Sequence, residues 1–360
     1  MKILFGIQGT GNGHITRARA MATAFQNKNQ EVDFVVSGRS PDKLFDMGIF
    51  GDFRCYQGLT FVTVNGRVSK VKTALKNNLY RFYRDVKSLD LGNYDLVISD
   101  FEPVSAWAAR NQNVTSIAIG HQPAFKYDVP KRDDDFMSRQ IMNIFAPTTI
   151  HLGLHWHHFN QPLLPPIIET SAEQPAVEAD KILVYLPFEN SQHVVDWLKP
   201  YTNRRFYVYH ENIDIKAADH ITLCPLSRVT FPKDLITSNG VIANAGFELS
   251  SEAISQGKKI LVKPLHGQYE QSSNAKALKQ LGLGEEMKSL DSQILEQWLE
   301  QDGVGTVHYP DVAAAIVDWI CSGMHSSTIE LSHQLWQATR FPEEIKENTT
   351  QSALVSTQAV

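Results

Sequence analysis

Short apolar runs alternate with longer amphipathic segments along most of this 360-residue chain. Residues 3–7 form an apolar run of strand length, and Gly9-Thr10-Gly11-Asn12-Gly13 follows. From His14 to about residue 26, Ile15, Ala18, Met21, Ala22 and Phe25 fall on one face at helical spacing. Residues 32–36 read as a second strand and 61–64 as an alternating one. Residues 71–89 read as a helix rich in basic and aromatic side chains. Residues 94–100 read as a strand ending in Asp100, with a helix starting near Glu102-Pro103. Residues 115–119 form a strand ending in Gly120-His121-Gln122. Asp133-Asp134-Asp135 is expected to open a helix reaching about Phe145, and 150–156 is the last strand of this series.

Gln161-Pro162-Leu163-Leu164-Pro165-Pro166 interrupts the pattern, and 169–180 is polar and aperiodic. This divides the chain into a first domain, 1–165, a linker, 166–180, and a second domain, 181–325. The second series has predicted strands at 181–186, 206–209, 220–224, 241–243 and 260–262. Its helices are predicted at 192–198, 247–256, from Asn274, at 292–300 and at 311–321. A polar loop spans 266–271. An amphipathic stretch, 326–339, lies in a C-terminal helical segment, 326–345, expected to return to the first domain. The tail, 346–360, is polar and expected to be disordered. Strands alternating with helices in two series predict two α/β halves.

Composition narrows the class. The net charge is -5 and no lysine or arginine block occurs, which argues against a nucleic-acid partner. Cys55, Cys224 and Cys321 are too scattered for a disulfide framework or a paired-cysteine metal site, and they fit a reducing cytoplasm. The N-terminal run lacks a signal peptide's longer core, and no run reaches membrane-spanning length. Any membrane contact is therefore expected to be peripheral, at the inner face. The 71–89 stretch, with Lys72, Lys76, Arg81, Arg84 and Lys87, reads first as a solvated face. Its second reading is a surface for an anionic acceptor or anionic lipid headgroups. The oligomeric state is not legible.

The candidate chemistry gathers at strand ends. The spacing G-x-G-x-G places its third glycine too early for a dinucleotide fingerprint, and Ser37-Gly38-Arg39 stands where that fold carries an acid. His14, Asp100 and His121 end strands that should share one sheet edge. In the second half, Gly246 is expected to turn the chain sharply into a helix. The free amides of Phe247, Glu248 and Leu249 would then form a positive end suited to phosphate. Glu252 follows on that helix, and Glu270 and Gln271 lie beyond the next strand, where α/β sheets bind ligands. His151, His155, His157 and His158 invite a metal reading, but lining an interdomain cleft fits their spacing better. No metal is expected.

The residues from Gly246 to Glu252, Pro264 and the run Glu270-Gln271-x-x-Asn274-Ala275 resemble the nucleotide-sugar-binding stretch of GT-B glycosyltransferases. The likeness extends to the UDP-glycosyltransferases and to the bacterial lipid-II N-acetylglucosaminyltransferase. It implies an α/β protein of GT-B architecture, two Rossmann-like parallel-sheet domains facing across a cleft. It also implies roles. Glu252 would hold the ribose hydroxyls, and Gly246, Phe247, Glu248, Leu249 and Ser250 the diphosphate. Glu270 and Gln271 would touch the donor sugar. Asn244, which replaces the histidine of plant enzymes, would donate to phosphate. Gly13 and Ser227 are placed in the donor site, and Arg17 and His121 on the acceptor side. His14 would be the general base, oriented by Asp100.

The implied activity is inverting, metal-independent and cofactor-free transfer from a UDP-sugar, such as UDP-GlcNAc or another hexose, to an unidentified acceptor hydroxyl. The lipid-II likeness suggests a cell-envelope or lipid-linked acceptor. Two alternatives stand beside it. A UDP-GlcNAc 2-epimerase-like enzyme would need further acid/base groups around the sugar. A nucleotide-sugar-binding protein without catalysis would have no use for His14 and Asp100.

Overall fold

The structure is a computed structural model that describes residues 1–44, 46–60, 63–64, 67–68, 77–132, 144–169, 175–343 and 345. The expected helix at 133–145 falls largely on 133–143, outside the described residues, as do Lys72, Lys76, the stretch 170–174 and the tail 346–360.

The strands of the first half are β1 (Ile3–Gln8), β2 (Val32–Ser37), β3 (Arg54–Tyr56), β4 (Thr63–Val64), β5 (Arg67–Val68), β6 (Leu96–Asp100), β7 (Ser116–Gly120) and β8 (Ile150–Gly153). Its helices are α1 (Asn12–Asn27), α2 (Leu79–Ser88) and α3 (Pro103–Gln112). The strands of the second half are β9 (Glu178–Tyr185), β10 (Arg205–Tyr209), β11 (Ile221–Cys224), β12 (Ser238–Ala243), β13 (Lys259–Val262) and β14 (Glu285–Glu286). Its helices are α4 (Ser191–Leu198), α5 (Thr230–Thr237), α6 (Phe247–Ser255), α7 (Tyr269–Gln280), α8 (Ser292–Leu299), α9 (Val312–Cys321) and α10 (Thr328–Ala338).

Both halves solve the same packing problem in the same way. All six residues of β1 are buried, as a strand covered by helices on both faces requires. The first sheet has six strands in the order β3-β2-β1-β6-β7-β8, and the second has six in the order β11-β10-β9-β12-β13-β14. Every pairing within them is parallel. Each order is that of a doubly wound nucleotide-binding fold. Such sheets open a crevice beyond the strand ends where the order reverses. In the first sheet the reversal lies between β1 and β6, and in the second between β9 and β12. Both expected Rossmann-like domains are therefore present.

Several local expectations are corrected. α1 begins at Asn12 with Gly11 as its N-cap, so Gly13 and His14 lie inside its first turn. The basic helix begins at Leu79, because the Asn78 side chain accepts from Arg81 N and caps it there. β9 begins at Glu178, inside the stretch read as linker. α7 begins at Tyr269, so Glu270 and Gln271 occupy a helical first turn rather than a loop. The apolar pattern does not predict α5. Its Pro232 reads as a breaker, but it sits in the first turn, where proline is tolerated.

One apolar cluster runs through both halves. Trp156 is fully buried, its ring lies 5.0 Å from that of Phe247, and its Nε1 donates to Ser251 Oγ at 2.8 Å. α10 reaches the first half: Ser332 Oγ donates to the Leu163 carbonyl at 2.5 Å and Trp336 Nε1 at 2.7 Å.

Candidate active site

The two reversal points face each other. From the first, α1 carries Gly13, His14 and Arg17, and β6 ends in Asp100. His14 Nδ1 lies 2.7 Å from Asp100 Oδ1, with the carboxylate fully buried and the imidazole 15% exposed. Burial alone would raise the Asp100 carboxyl. Arg17 and His14 outweigh it and hold Asp100 below the ordinary carboxylate range. Asp100 is thus an acceptor, and His14 Nδ1 donates to it. With Nδ1 donating, Nε2 is the ring nitrogen left to accept a proton. Asp100 has no capping duty. Glu102 takes it, accepting from Val104 N at 2.8 Å and Ser105 N at 2.6 Å.

Arg17 closes the other side of Asp100. Its Nε donates to Oδ2 at 2.9 Å and its Nη2 to Oδ1 at 2.7 Å. Two donors therefore converge on Oδ1, which brings Arg17 Nη2 within 3.1 Å of His14 Nδ1. Arg17 Nη1 donates to Glu248 Oε1, so this ion pair joins the first half to α6 of the second. Arg17 is only 2% exposed. It cannot be the free acceptor-side cation expected, because its guanidinium is committed to two carboxylates.

From the second reversal point comes α6. Its first intrahelical bond runs from Ser250 N to Gly246 O, so the amides of Phe247, Glu248 and Leu249 point out of the helix end. Gly246 has φ -75° and ψ 141°, an extended conformation open to any residue, and a Cβ there would meet nothing within 4 Å. Its place is therefore not explained by a sharp turn. The open space in front of it is what an approaching ligand would use.

A cleft of ≈ 440 Å³ adjoins these amides, with Asn12, Gly13, Tyr185, Ser227, Phe231 and Glu252 among its walls. Burial, with the nearby Glu169 charge, pushes the Glu252 carboxyl up to about 7 against the opposing pull of Arg228. Ser227 lines this cleft, and its Oγ accepts from Val229 N and Thr230 N, starting α5. Phe231 packs edge-on against Tyr185 and Tyr209, which makes a flat apolar wall. The apolar pattern does not place Tyr185 or Phe231 in this wall: Phe231 lies on α5, which the pattern does not predict, and Tyr185 ends β9, where it reads as a buried strand residue.

Other expected site residues are turned inward. His121 Nδ1 lies 2.8 Å from the Leu154 carbonyl and Nε2 lies 2.6 Å from Asn274 Oδ1, while its ring stacks on Phe247 at 4.1 Å. Both nitrogens are engaged, so His121 is a strut between the halves rather than an acceptor contact. Gln271 Oε1 accepts from Leu265 N, which holds the strand-to-helix turn. Glu270 accepts from Gln122 Nε2 at 3.1 Å, on the first-half side of the cleft. Asn244 Nδ2 donates to the Lys263 carbonyl at 2.8 Å, and its Oδ1 is buried without a hydrogen-bond partner. This turns at least one amide hydrogen away from any phosphate.

His155 and His157 are buried, 1% and 5% exposed, rather than lining an open cleft as expected. His155 Nδ1 accepts from Trp156 N, His157 Nδ1 accepts from Phe159 N, and burial lowers both rings, His157 to about 3. His151 contacts Lys126 Nζ. Among the described residues no group of histidine, cysteine or acidic side chains is arranged to hold a metal. Phe101 also went unnoticed in the sequence. It follows Asp100 at φ 52°, an unusual conformation for a bulky residue, and its ring lies 6.5 Å from His14 and 10° from parallel. No local pattern signals a positive φ at phenylalanine.

Comparison with solved structures gives the same architecture. The chain is 15% identical to the glycosyltransferase SnogD from Streptomyces nogalater, over 94% of this chain and 99% of that one, with a TM-score of 0.54. It is 13% identical to Acinetobacter baumannii MurG, covering 93% and 99% of the two chains, with a TM-score of 0.51. It is also 13% identical to LpCGTa, solved in complex with UDP, over 93% and 98%, with a TM-score of 0.56. No curated protein matches the chain. The sequence profile described as Glycosyl transferase family 1 matches residues 1–301. A match of that extent settles the family: the chain belongs to glycosyl transferase family 1 and is a glycosyltransferase of GT-B architecture.

Proposed function

We propose that this enzyme transfers a hexose from a UDP-sugar to an acceptor hydroxyl with inversion and without a metal. The reading rests on one relationship above all. His14, oriented by Asp100 at 2.7 Å, lies on α1, whose Gly13 and Arg17 meet Glu248 at the open N-terminal end of α6. Nε2 of His14 takes the acceptor hydroxyl proton as that oxygen bonds to the anomeric carbon. The bond from that carbon to the diphosphate oxygen breaks, and UDP leaves with the electron pair. The amides of Phe247, Glu248 and Leu249 meet the charge that develops on it. The proton on Nε2 passes to solvent. Glu252 accepts from the ribose hydroxyls, Phe231 and Tyr185 flank the nucleotide, and Glu270 faces the sugar. The likeness to UDP-dependent enzymes, with LpCGTa solved in complex with UDP among the similar structures, supports the uridine assignment.

The acceptor is proposed to be membrane-linked, at the inner face of the cell membrane. No helix among the described residues is long and apolar enough to cross a membrane. α2 instead suits an interfacial contact. Phe82 and Val86 pack inward, while Leu79, Tyr80 and Tyr83 are 69%, 76% and 53% exposed beside Arg81, Arg84 and Lys87. An aromatic and basic face with no acid on it complements anionic headgroups.

Thermal shift with UDP, TDP, UDP-GlcNAc and UDP-glucose tests the donor. UDP and at least one UDP-sugar should raise the Tm of the wild type, and Glu252→Ala should abolish most of that shift. A larger shift with TDP would overturn the uridine assignment, and no shift with any nucleotide would overturn the donor site.

A further inference from the structure

We propose that Glu248 is a positioning residue for the base: from the second half, it restores beside His14 the negative charge that Arg17 cancels. The inference rests on the reading of His14 as the base. The observation behind it is a buried chain of four groups, His14, Asp100, Arg17 and Glu248, exposed by 15%, 0%, 2% and 10%.

The charges decide what the chain does. Asp100 alone would stabilise the imidazolium that forms when His14 takes a proton. Arg17, bound to Asp100 through two nitrogens, offsets that carboxylate almost completely. A base beside a neutralised pair gains little from it. Glu248 occupies the remaining nitrogen of Arg17, so the three charged partners sum to minus one. The imidazolium then faces a net anion, at low effective dielectric, where such a charge counts.

The other charged groups packed here are committed elsewhere. Arg19 donates to the Asp46 carbonyl, Arg39 to Asn12 Oδ1 and the Thr10 carbonyl, Glu102 caps α3 beneath the site, and Glu270 accepts from Gln122. His121 lies between two carbonyl oxygens, and Glu252 sits one turn further along α6 beside Arg228 and Glu169. None substitutes for Glu248 at Arg17. Because α6 belongs to the second half, the base acquires its full charge environment only while the two halves are together. The donor-binding helix thereby helps prepare the acceptor-side base.

A simple interdomain latch would use the same ion pair, so the test must separate charge from attachment. Full-length protein carrying ring-labelled histidine is titrated by NMR without ligand, the His14 signals being assigned with His14→Gln. In Glu248→Gln the His14 signals should change at a measurably lower pH than in wild type. In the double variant Arg17→Gln with Glu248→Gln, the net charge returns to minus one and the signals should return towards the wild-type range. A latch predicts instead that the double variant departs at least as far as the single one, and that result would overturn the proposal. So would an unchanged titration in Glu248→Gln. If the double variant does not fold, Arg17→Met with Glu248→Leu, an apolar replacement of the buried pair, serves the same comparison. The failure of the base reading looks different: the charge cycle would hold while His14→Ala retained transfer.

Discussion

Gly13 and Glu248 lie against each other across the cleft: a Cβ on Gly13 would fall 2.7 Å from Glu248 Cγ. The third glycine of the glycine-rich turn thus serves the approach of the two halves. Gly13→Ala should force Glu248 away from Arg17 or hold the halves apart. The expected cost is about 1–3 kcal/mol of stability, with a fall in turnover. Urea unfolding and UDP release measure both. Wild-type values in each would contradict the close approach.

Glu252 predicts a pH dependence of nucleotide affinity. Its folded value, about 7, lies above the ordinary 4.5. Folding therefore favours its protonated form. The stability that this contributes is present below about 4.5 and is lost as pH rises towards about 7. Ribose binding has the opposite sign, because the ionised carboxylate accepts from both hydroxyls. UDP affinity measured by calorimetry should rise between pH 6 and pH 8 (a window set on either side of about 7), and Glu252→Gln should flatten the rise. A rise that survives the substitution would assign it to another group.

Phe101→Gly separates backbone strain from ring function. Relief of φ 52° should gain about 1 kcal/mol. Loss of the half-buried ring, stacked on Phe145 at 4.6 Å, should cost about 2–3 kcal/mol. The melting temperature should therefore fall by only a few degrees. Turnover should fall, because the ring lying parallel to His14 is gone. Unchanged turnover would show that the ring does not position the base.

α2 should bind anionic vesicles. Cosedimentation with phosphatidylglycerol vesicles is expected for the wild type and should weaken with added salt. Replacing Leu79, Tyr80 and Tyr83 by serine, or Arg81, Arg84 and Lys87 by glutamate, should reduce it without altering UDP affinity. Equal binding to neutral vesicles by the charge-reversed protein would remove the headgroup reading.

Much of this site was legible before the fold. β1 and the β12–α6–β13 unit are local patterns, continuous apolar runs ended by glycine or proline. With β6, which ends in Asp100, they place His14, Asp100 and the α6 amides at strand ends where a doubly wound sheet reverses. What was not legible is long-range. Arg17 and Glu248 are 231 residues apart, and nothing in either neighbourhood announces a shared ion pair. His121 looked like a free strand-end histidine because Asn274, which engages its second nitrogen, lies in the other half. Gln271 reads as loop because the apolar pattern of α7 starts late, whereas its first turn is set by a contact to Leu265 N.

UDP release from a UDP-sugar, in the presence of a panel of membrane-extracted acceptors, tests the central claim most directly. The wild type should release UDP. His14→Ala should lose about 10²–10⁴-fold of that rate while keeping its UDP-induced thermal shift, and Asp100→Asn should also be impaired. Turnover in His14→Ala equal to that of the wild type would contradict the account.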